Sequence, residues 1–152
     1  MAGDEPGVKG RQGLATLDTG SATDLEGGMN EPEVIMPDAT RTSNLIVTSK
    51  AVEAAGMALK LMTRVPSPMR ALADQVVRAA SSVPANLSEG HGRSGRDRLY
   101  HWRIAYGSAK EVDVHLRLLV HAAALESESV ETVLSLFDEV RAMTWRLLHP
   151  TT

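Results

Sequence analysis

The sequence predicts an all-α protein: an antiparallel up-down four-helix bundle over residues 42–149, preceded by a disordered acidic N-terminal tail over residues 1–41. From Thr42 onward, apolar residues recur at steps of three and four, which is the periodicity of a helix with one buried face. Turn-forming residues divide this stretch into four segments of about 20 residues, and the short turns between them force neighbouring helices to run antiparallel. No segment shows the alternating pattern of a strand.

The tail is predicted from its charge and composition. Residues 1–40 contain two basic and eight acidic residues, a net charge of −6, so the remaining 112 residues carry +3. Because this segment has no aromatic residue and is rich in Gly, Asp, Thr, Pro and Glu, it buries too little apolar surface to offset the entropy of ordering. A short apolar run, Val34-Ile35-Met36, could dock on a basic surface of the protein, although a solvated leader is the commoner role for such a segment. Met29 is a candidate alternative start.

Helices one and two are predicted on either side of a proline-rich turn. Helix one runs from about Asn44 to Thr63, with Thr42 or Ser43 as its cap. Ser67 caps helix two, while Pro84 predicts a kink near residues 80–83 or a break in the helix. The expected inward residues are Leu45, Val52, Ala55, Leu59 and Met62 in helix one, and Leu72, Val76, Ala79, Val83 and Leu87 in helix two.

Helices three and four follow a glycine- and arginine-rich turn. Ser94 and Asp97 have the spacing of a capping box at the start of helix three, which should end near Ala124. Ser127 or Ser129 caps helix four. The expected inward residues are Leu99, Trp102, Tyr106, Ala109, Val112, Leu116, Leu119 and Ala123 in helix three, and Val130, Val133, Phe137, Val140, Thr144 and Leu147 in helix four.

The sequence contains none of the common catalytic motifs considered below. Without cysteine the chain has no disulfide, no thiolate nucleophile and no Cys-based metal site. Its five histidines lack paired metal spacing, and no phosphate-binding loop or nucleophile elbow is present. We therefore expect a non-enzymatic protein with no metal and no cofactor. An N-terminus without an apolar leader, and the lack of an apolar run of about 20 residues, predict a cytoplasmic protein with no membrane contact.

Positive and negative charges are unevenly distributed along the chain. Between Arg70 and Lys110 there are seven basic and three acidic residues. From Glu111 to Val140 there are seven acidic residues and only one arginine or lysine, Arg117. A basic surface of this kind suits phosphate contacts or assembly with other subunits. The candidate nucleic-acid-binding residues are Arg93, Arg96, Arg98, Arg103 and Lys110.

Aromatic residues lie among these arginines. Tyr100, His101 and Trp102 are candidates for stacking on bases. Trp102 also falls on the apolar stripe of helix three, where a core or interface role is the commoner one.

Polar residues near the turn between helices two and three form a candidate structural motif. Asn86 and Glu89 are three apart, as are Ser108 and Glu111, so each pair lies on one helical face. We expect these side chains to fasten the turn and set the register of the two helices, with Arg93 neutralising Glu89 or Glu111. Gly90 is expected to end helix two, and Gly107 to permit a close helix approach. The motif residues are Asn86, Glu89, Gly90, Ser108 and Glu111.

Three runs of residues resemble a known family, the bacterial four-helix proteins of the 23S rRNA intervening sequence. They are RAASSVPANLSEG at 78–90, Gly92-Arg93, and IAYGSAKE at 104–111, and the resemblance covers about residues 44–148. The fold is also similar to that of the accessory variability proteins of diversity-generating retroelements. That resemblance implies a homopentamer whose basic surface engages a reverse transcriptase and nucleic acid.

Two functions remain open. The first is a non-enzymatic oligomeric accessory protein that binds RNA, DNA or a nucleoprotein partner through its arginine-rich surface. The alternative is a structural homo-oligomer whose only partners are proteins.

Overall fold

A computed structural model describes residues 38–151, so the predicted tail lies outside the described residues except at its last four positions, and so does the alternative start at Met29. The described chain forms four helices and no strand: α1 (Asp38–Met62), α2 (Arg70–His91), α3 (Gly95–His121) and α4 (Ser127–Leu148). A 3-10 turn, Ser67–Met69, leads directly into α2. The predicted all-α four-helix architecture is therefore confirmed.

The helices pack as an antiparallel square. Each helix contacts its neighbours along the chain, and α1 also packs against α4, which closes the bundle. Consequently α1 lies diagonally across from α3, and α2 across from α4. One continuous core joins all four, and its largest fully buried side chains are Phe137, Leu87, Leu116 and Leu119. None of the described helices is long and apolar enough to span a membrane.

The buried face of α1 differs from the predicted one. Leu45 and Val52 are 59% and 58% exposed, and Leu59 is also exposed, while only Ala55 and Met62 of the predicted stripe are buried. The face that meets the core consists mainly of small side chains: Val47, Ala51, Ala54, Ala55, Ala58, Leu61 and Met62. The prediction was wrong because α1 has two apolar faces, and the larger residues lie on the outer one. The helix also begins at Asp38, within the span assigned to the tail.

Pro84 does not interrupt α2, which is one continuous α-helix from Arg70 to His91. The capping predictions were wrong in detail. Ser67 lies inside the 3-10 turn rather than capping α2, and Ser127 is the first residue of α4, whose N-cap position is Glu126. Ser94 occupies the N-cap position of α3 but makes no side-chain capping hydrogen bond, and the carboxylate of Asp97 pairs with Arg93 instead of completing a capping box.

Candidate functional site

A chain of polar side chains joins α2 to α3. Asn86 Nδ2 donates to the backbone oxygen (3.0 Å) and hydroxyl (3.1 Å) of Ser82, and its Oδ1 lies 3.0 Å from Nδ1 of His101. From the other helix, the Ser108 hydroxyl donates to the Ser82 hydroxyl over 2.9 Å. The predicted residues Asn86 and Ser108 are thus brought together through Ser82, which sequence reasoning did not single out. All four side chains are at least partly buried, and their hydrogen bonds join the two helices.

Glu89 and Arg93 form an ion pair on the surface of the same hairpin, and Arg93 also lies 3.3 Å from Asp97. The hydrogen bond from Arg93 holds the pKa of Glu89 below its ordinary value and raises the pKa of the guanidinium. Being solvent-exposed, the pair contributes little to stability. Glu111 is exposed and makes no hydrogen bond or ion pair within the described residues, so it does not join this group.

Gly90 has a different role from the predicted one. The helix continues past it to His91, and Gly92 occupies the C-cap position. Gly90 is buried where the Trp102 indole crosses α2, and a Cβ built on it would lie 2.6 Å from Cδ1 and Nε1 of that ring. It is needed for this close approach rather than for a helix end. At Gly107, by contrast, an added Cβ would meet no atom within 4 Å, so the predicted role of this glycine in helix approach was wrong.

A partly buried contact joins Asn44 of α1 to His91 of α2, and no sequence pattern indicated it. Asn44 is fully buried, and its side-chain amide lies within hydrogen-bond distance of His91, with Nδ2 2.5 Å from Nδ1 of the imidazole. Asn44 Oδ1 and Trp102 Nε1 have no hydrogen-bond partner within the described residues. The Asn44–His91 contact joins α1 to α2. Trp102, 3% exposed, belongs to the core rather than to a base-stacking surface.

The five candidate nucleic-acid-binding residues fall into two groups. Arg93 is held by ion pairs, while Arg98 donates from Nε to the Arg93 carbonyl (2.7 Å) and lies 5.7 Å from the Trp102 ring centroid. The other three follow one another at steps of seven on α3, which places them on one helical face. All three are exposed and form no ion pair within the described residues. We call these residues, Arg96, Arg103 and Lys110, the basic stripe.

Aromatic side chains adjoin the basic stripe. Tyr100 lies between Arg96 and Arg103 on the same face and is 60% exposed. Trp145 of α4 is half exposed, lies 5.8 Å from Tyr106 of α3 between ring centroids, and stacks on His149 at 3.8 Å. Sequence reasoning missed the Tyr106–Trp145 contact because the two residues meet only when α3 and α4 pack. A tryptophan on the outward face of α4 was the available indication.

The described residues do not support a metal centre: no three His, Asp or Glu side chains among residues 38–151 are grouped so as to hold an ion. The first half of α3 instead presents an exposed stripe of positive charge, and aromatic rings of α3 and α4 lie beside it. Such a surface can bind phosphates electrostatically and stack on bases.

Comparison with known proteins agrees with the sequence motifs. The family of 23S rRNA-intervening sequence proteins matches residues 43–146, whereas no curated protein matches the chain. A crystal structure of a protein of unknown function from the S23 ribosomal protein family of Bacteroides thetaiotaomicron VPI-5482 is similar, with a TM-score of 0.65 and 21% identity. The match covers 70% of this chain and 97% of that one, and it shows a shared fold. The chain belongs to the 23S rRNA-intervening sequence protein family.

Proposed function

We propose that this protein is a non-enzymatic homo-oligomer that binds single-stranded nucleic acid, RNA in the first instance, through the basic stripe. The observation that carries the proposal is the alignment of Arg96, Arg103 and Lys110 on one exposed face, without ion-pair partners among residues 38–151. At about 1.5 Å per residue, the stripe extends over about 21 Å of α3. Cations left without a protein partner retain their full attraction for phosphates.

The aromatic residues favour a single strand over a duplex. Tyr100 is exposed within the stripe, and Trp145 presents a half-exposed ring beside it. Unpaired bases can stack on such rings, whereas paired bases present only their edges in the grooves. The resemblance to the accessory variability proteins suggests a protein partner as well, such as a reverse transcriptase bound to nucleic acid.

We propose that the protein self-associates because the single chain leaves several apolar residues exposed. Leu45, Val52 and Leu59 follow at steps of seven along α1, and Val114 and Leu118 lie four apart on α3. Because α1 and α3 are diagonally opposed, the two patches face different directions. One copy's α1 patch can therefore meet the next copy's α3 patch, and such head-to-tail contacts form a ring when the rotation between copies closes. The resemblance suggests a ring of five, which would place several basic stripes on one particle.

Removing the basic stripe should abolish most nucleic-acid binding. For the variant R96A/R103A/K110A, we expect at least tenfold weaker binding to a single-stranded RNA of about 20 nucleotides. The slope of log K against log salt should become shallower by about 2 for each chain that engages the strand, because three phosphate contacts are lost. Fluorescence anisotropy over a salt series measures both quantities.

A matched control removes the same charge at the opposite end of the bundle. Lys60, Arg64 and Arg70 are exposed near the α1–α2 turn, and the variant K60A/R64A/R70A should bind like wild type. Equal losses in the two triple variants would mean that only net charge matters. If wild type shows no binding at low salt, the nucleic-acid function is rejected.

The proposed assembly can be tested by introducing one negative charge into each of the two apolar patches. Val52→Glu and Val114→Glu should each convert the oligomer to smaller species without unfolding the bundle, because both side chains are more than half exposed. In a head-to-tail ring each variant retains one intact patch, so an equimolar mixture should form a heterodimer. Light scattering gives the masses, and circular dichroism checks the fold. An oligomer that survives both substitutions contradicts these interfaces.

The exposed apolar patches also support the second candidate, a structural oligomer with protein partners only. Under this candidate, Val52→Glu and Val114→Glu would still convert the oligomer to smaller species. Wild type would show no binding of nucleic acid at low salt. The two experiments together therefore separate the candidates.

A further inference from the structure

The described chain contains a cavity to which the proposed function assigns no role. It has a volume of about 730 Å³ and lies where α3 begins and α4 ends, close to Ser43 of α1. Cavities of roughly 300–1,000 Å³ are typical of small-molecule sites. Its apolar lining comes from both helices, with Leu99 and Trp102 on α3 and Met143, Leu147 and Leu148 on α4.

The charged residues of the cavity all have the same sign. Arg96, Arg98 and Arg146 line it, and no carboxylate of the described residues does. Arg98 is held in place by its Nε hydrogen bond to the Arg93 carbonyl, which leaves its terminal nitrogens available to a ligand. Arg96 and Arg146 form no ion pair within residues 38–151. The cavity therefore combines an apolar interior with guanidinium groups that lack a counter-charge in this part of the chain.

We propose that this cavity binds an amphipathic anion, an aliphatic carboxylate of medium chain length. The alkyl chain would cover the leucine, methionine and tryptophan surface, and removal of this apolar area from water favours binding. The planar guanidinium fork of arginine matches a carboxylate with two parallel hydrogen bonds. A nucleobase fits this lining less well, because its polar edges need several hydrogen-bond donors and acceptors. The side chains of the lining are mostly apolar, and Ser43 carries the only hydroxyl among them.

This site goes beyond the proposed nucleic-acid function and is separable from it. Arg96 belongs to both sites, but Arg146 lies on α4, outside the basic stripe, and Arg103 and Lys110 do not line the cavity. Binding of the carboxylate can be measured with no nucleic acid present. Failure of one proposal therefore leaves the other standing.

The test uses the full chain carrying Trp145→Phe, because the sequence has two tryptophans and Trp102 then becomes the only one. Titration with decanoate below its micelle concentration should give a saturable change in Trp102 fluorescence. Arg146→Gln should weaken decanoate binding at least tenfold and leave the binding of decan-1-ol, which lacks the charge, within twofold. Arg70→Gln, which removes a charge at the other end of the bundle, should leave decanoate binding unchanged.

Three results would overturn the assignment. One is the absence of a saturable change with decanoate. Another is equal weakening of decanoate and decanol by Arg146→Gln, which would show that the guanidinium does not recognise the carboxylate. The third is a tenfold rise in decanoate affinity in Ile35→Asp, since the apolar run at residues 34–36 would then be the natural occupant. Circular dichroism of each variant excludes loss of fold as the cause.

Discussion

Replacing Gly90 with alanine is expected to destabilise the bundle by about 2–3 kcal/mol, the upper part of the range for overpacking a buried site. The new Cβ would lie 2.6 Å from Cδ1 and Nε1 of Trp102 and 3.1 Å from the carbonyl oxygen of Arg98. Neither neighbour can yield easily, because the indole is 3% exposed within the core and the carbonyl belongs to the backbone of α3. Relief requires α2 and α3 to separate, which also strains the Ser82–Ser108 hydrogen bond.

Gly107→Ala provides the control for Gly90→Ala. Gly107 lies within α3 and a Cβ there meets no atom within 4 Å, so alanine should stabilise the protein by up to about 1 kcal/mol through helix propensity alone. Urea unfolding of both variants, compared at unchanged m-value, measures the two effects. Changes of the same sign in both proteins would contradict a steric role for Gly90.

The inward faces of α2, α3 and α4 were largely predictable, and the reason is the size of their residues. Val76, Val83 and Leu87 on α2, like Phe137 and Val140 on α4, are large apolar residues at helical steps, and all are buried. Their opposite faces are mostly polar, so only one face can be inward. On α1 the same rule chose the wrong face, because Leu45 and Val52 outweigh the alanines that pack against the core.

The candidate site was predictable along each helix but not between helices. The Glu89–Arg93 pair follows from a spacing of four residues, and the shared face of Arg96, Arg103 and Lys110 from a spacing of seven. The contacts Asn44–His91 and Tyr106–Trp145 join residues 47 and 39 positions apart, and both exist only after the helices pack. Sequence spacing alone also could not show that Arg93 is ion-paired while Arg96 has no such partner among the described residues.

The orientation of α1 can be tested at two adjacent positions by replacing alanine with valine at one and valine with alanine at the other. Ala51 is fully buried and Val52 is 58% exposed, although the sequence pattern predicted Val52 as the inward residue. Ala51→Val should destabilise the bundle by about 1–3 kcal/mol, because the added methyl groups enter a face that packs closely on its neighbours. Val52→Ala should change stability by at most about 0.5 kcal/mol, since it removes exposed atoms and slightly favours the helix.

Both substitutions are best measured in chains that also carry Val114→Glu, so that loss of an oligomer contact at Val52 does not enter the unfolding free energy. The double variant A51V/V52A keeps the composition of the chain, so any loss of stability reflects position alone. If Val52→Ala proved the costlier change, Val52 would face the core and the outer patch of α1 would not exist. The costlier change should instead be Ala51→Val, because the small residues of α1 let it lie close to α2 and α4 while its larger ones remain available for another copy of the chain.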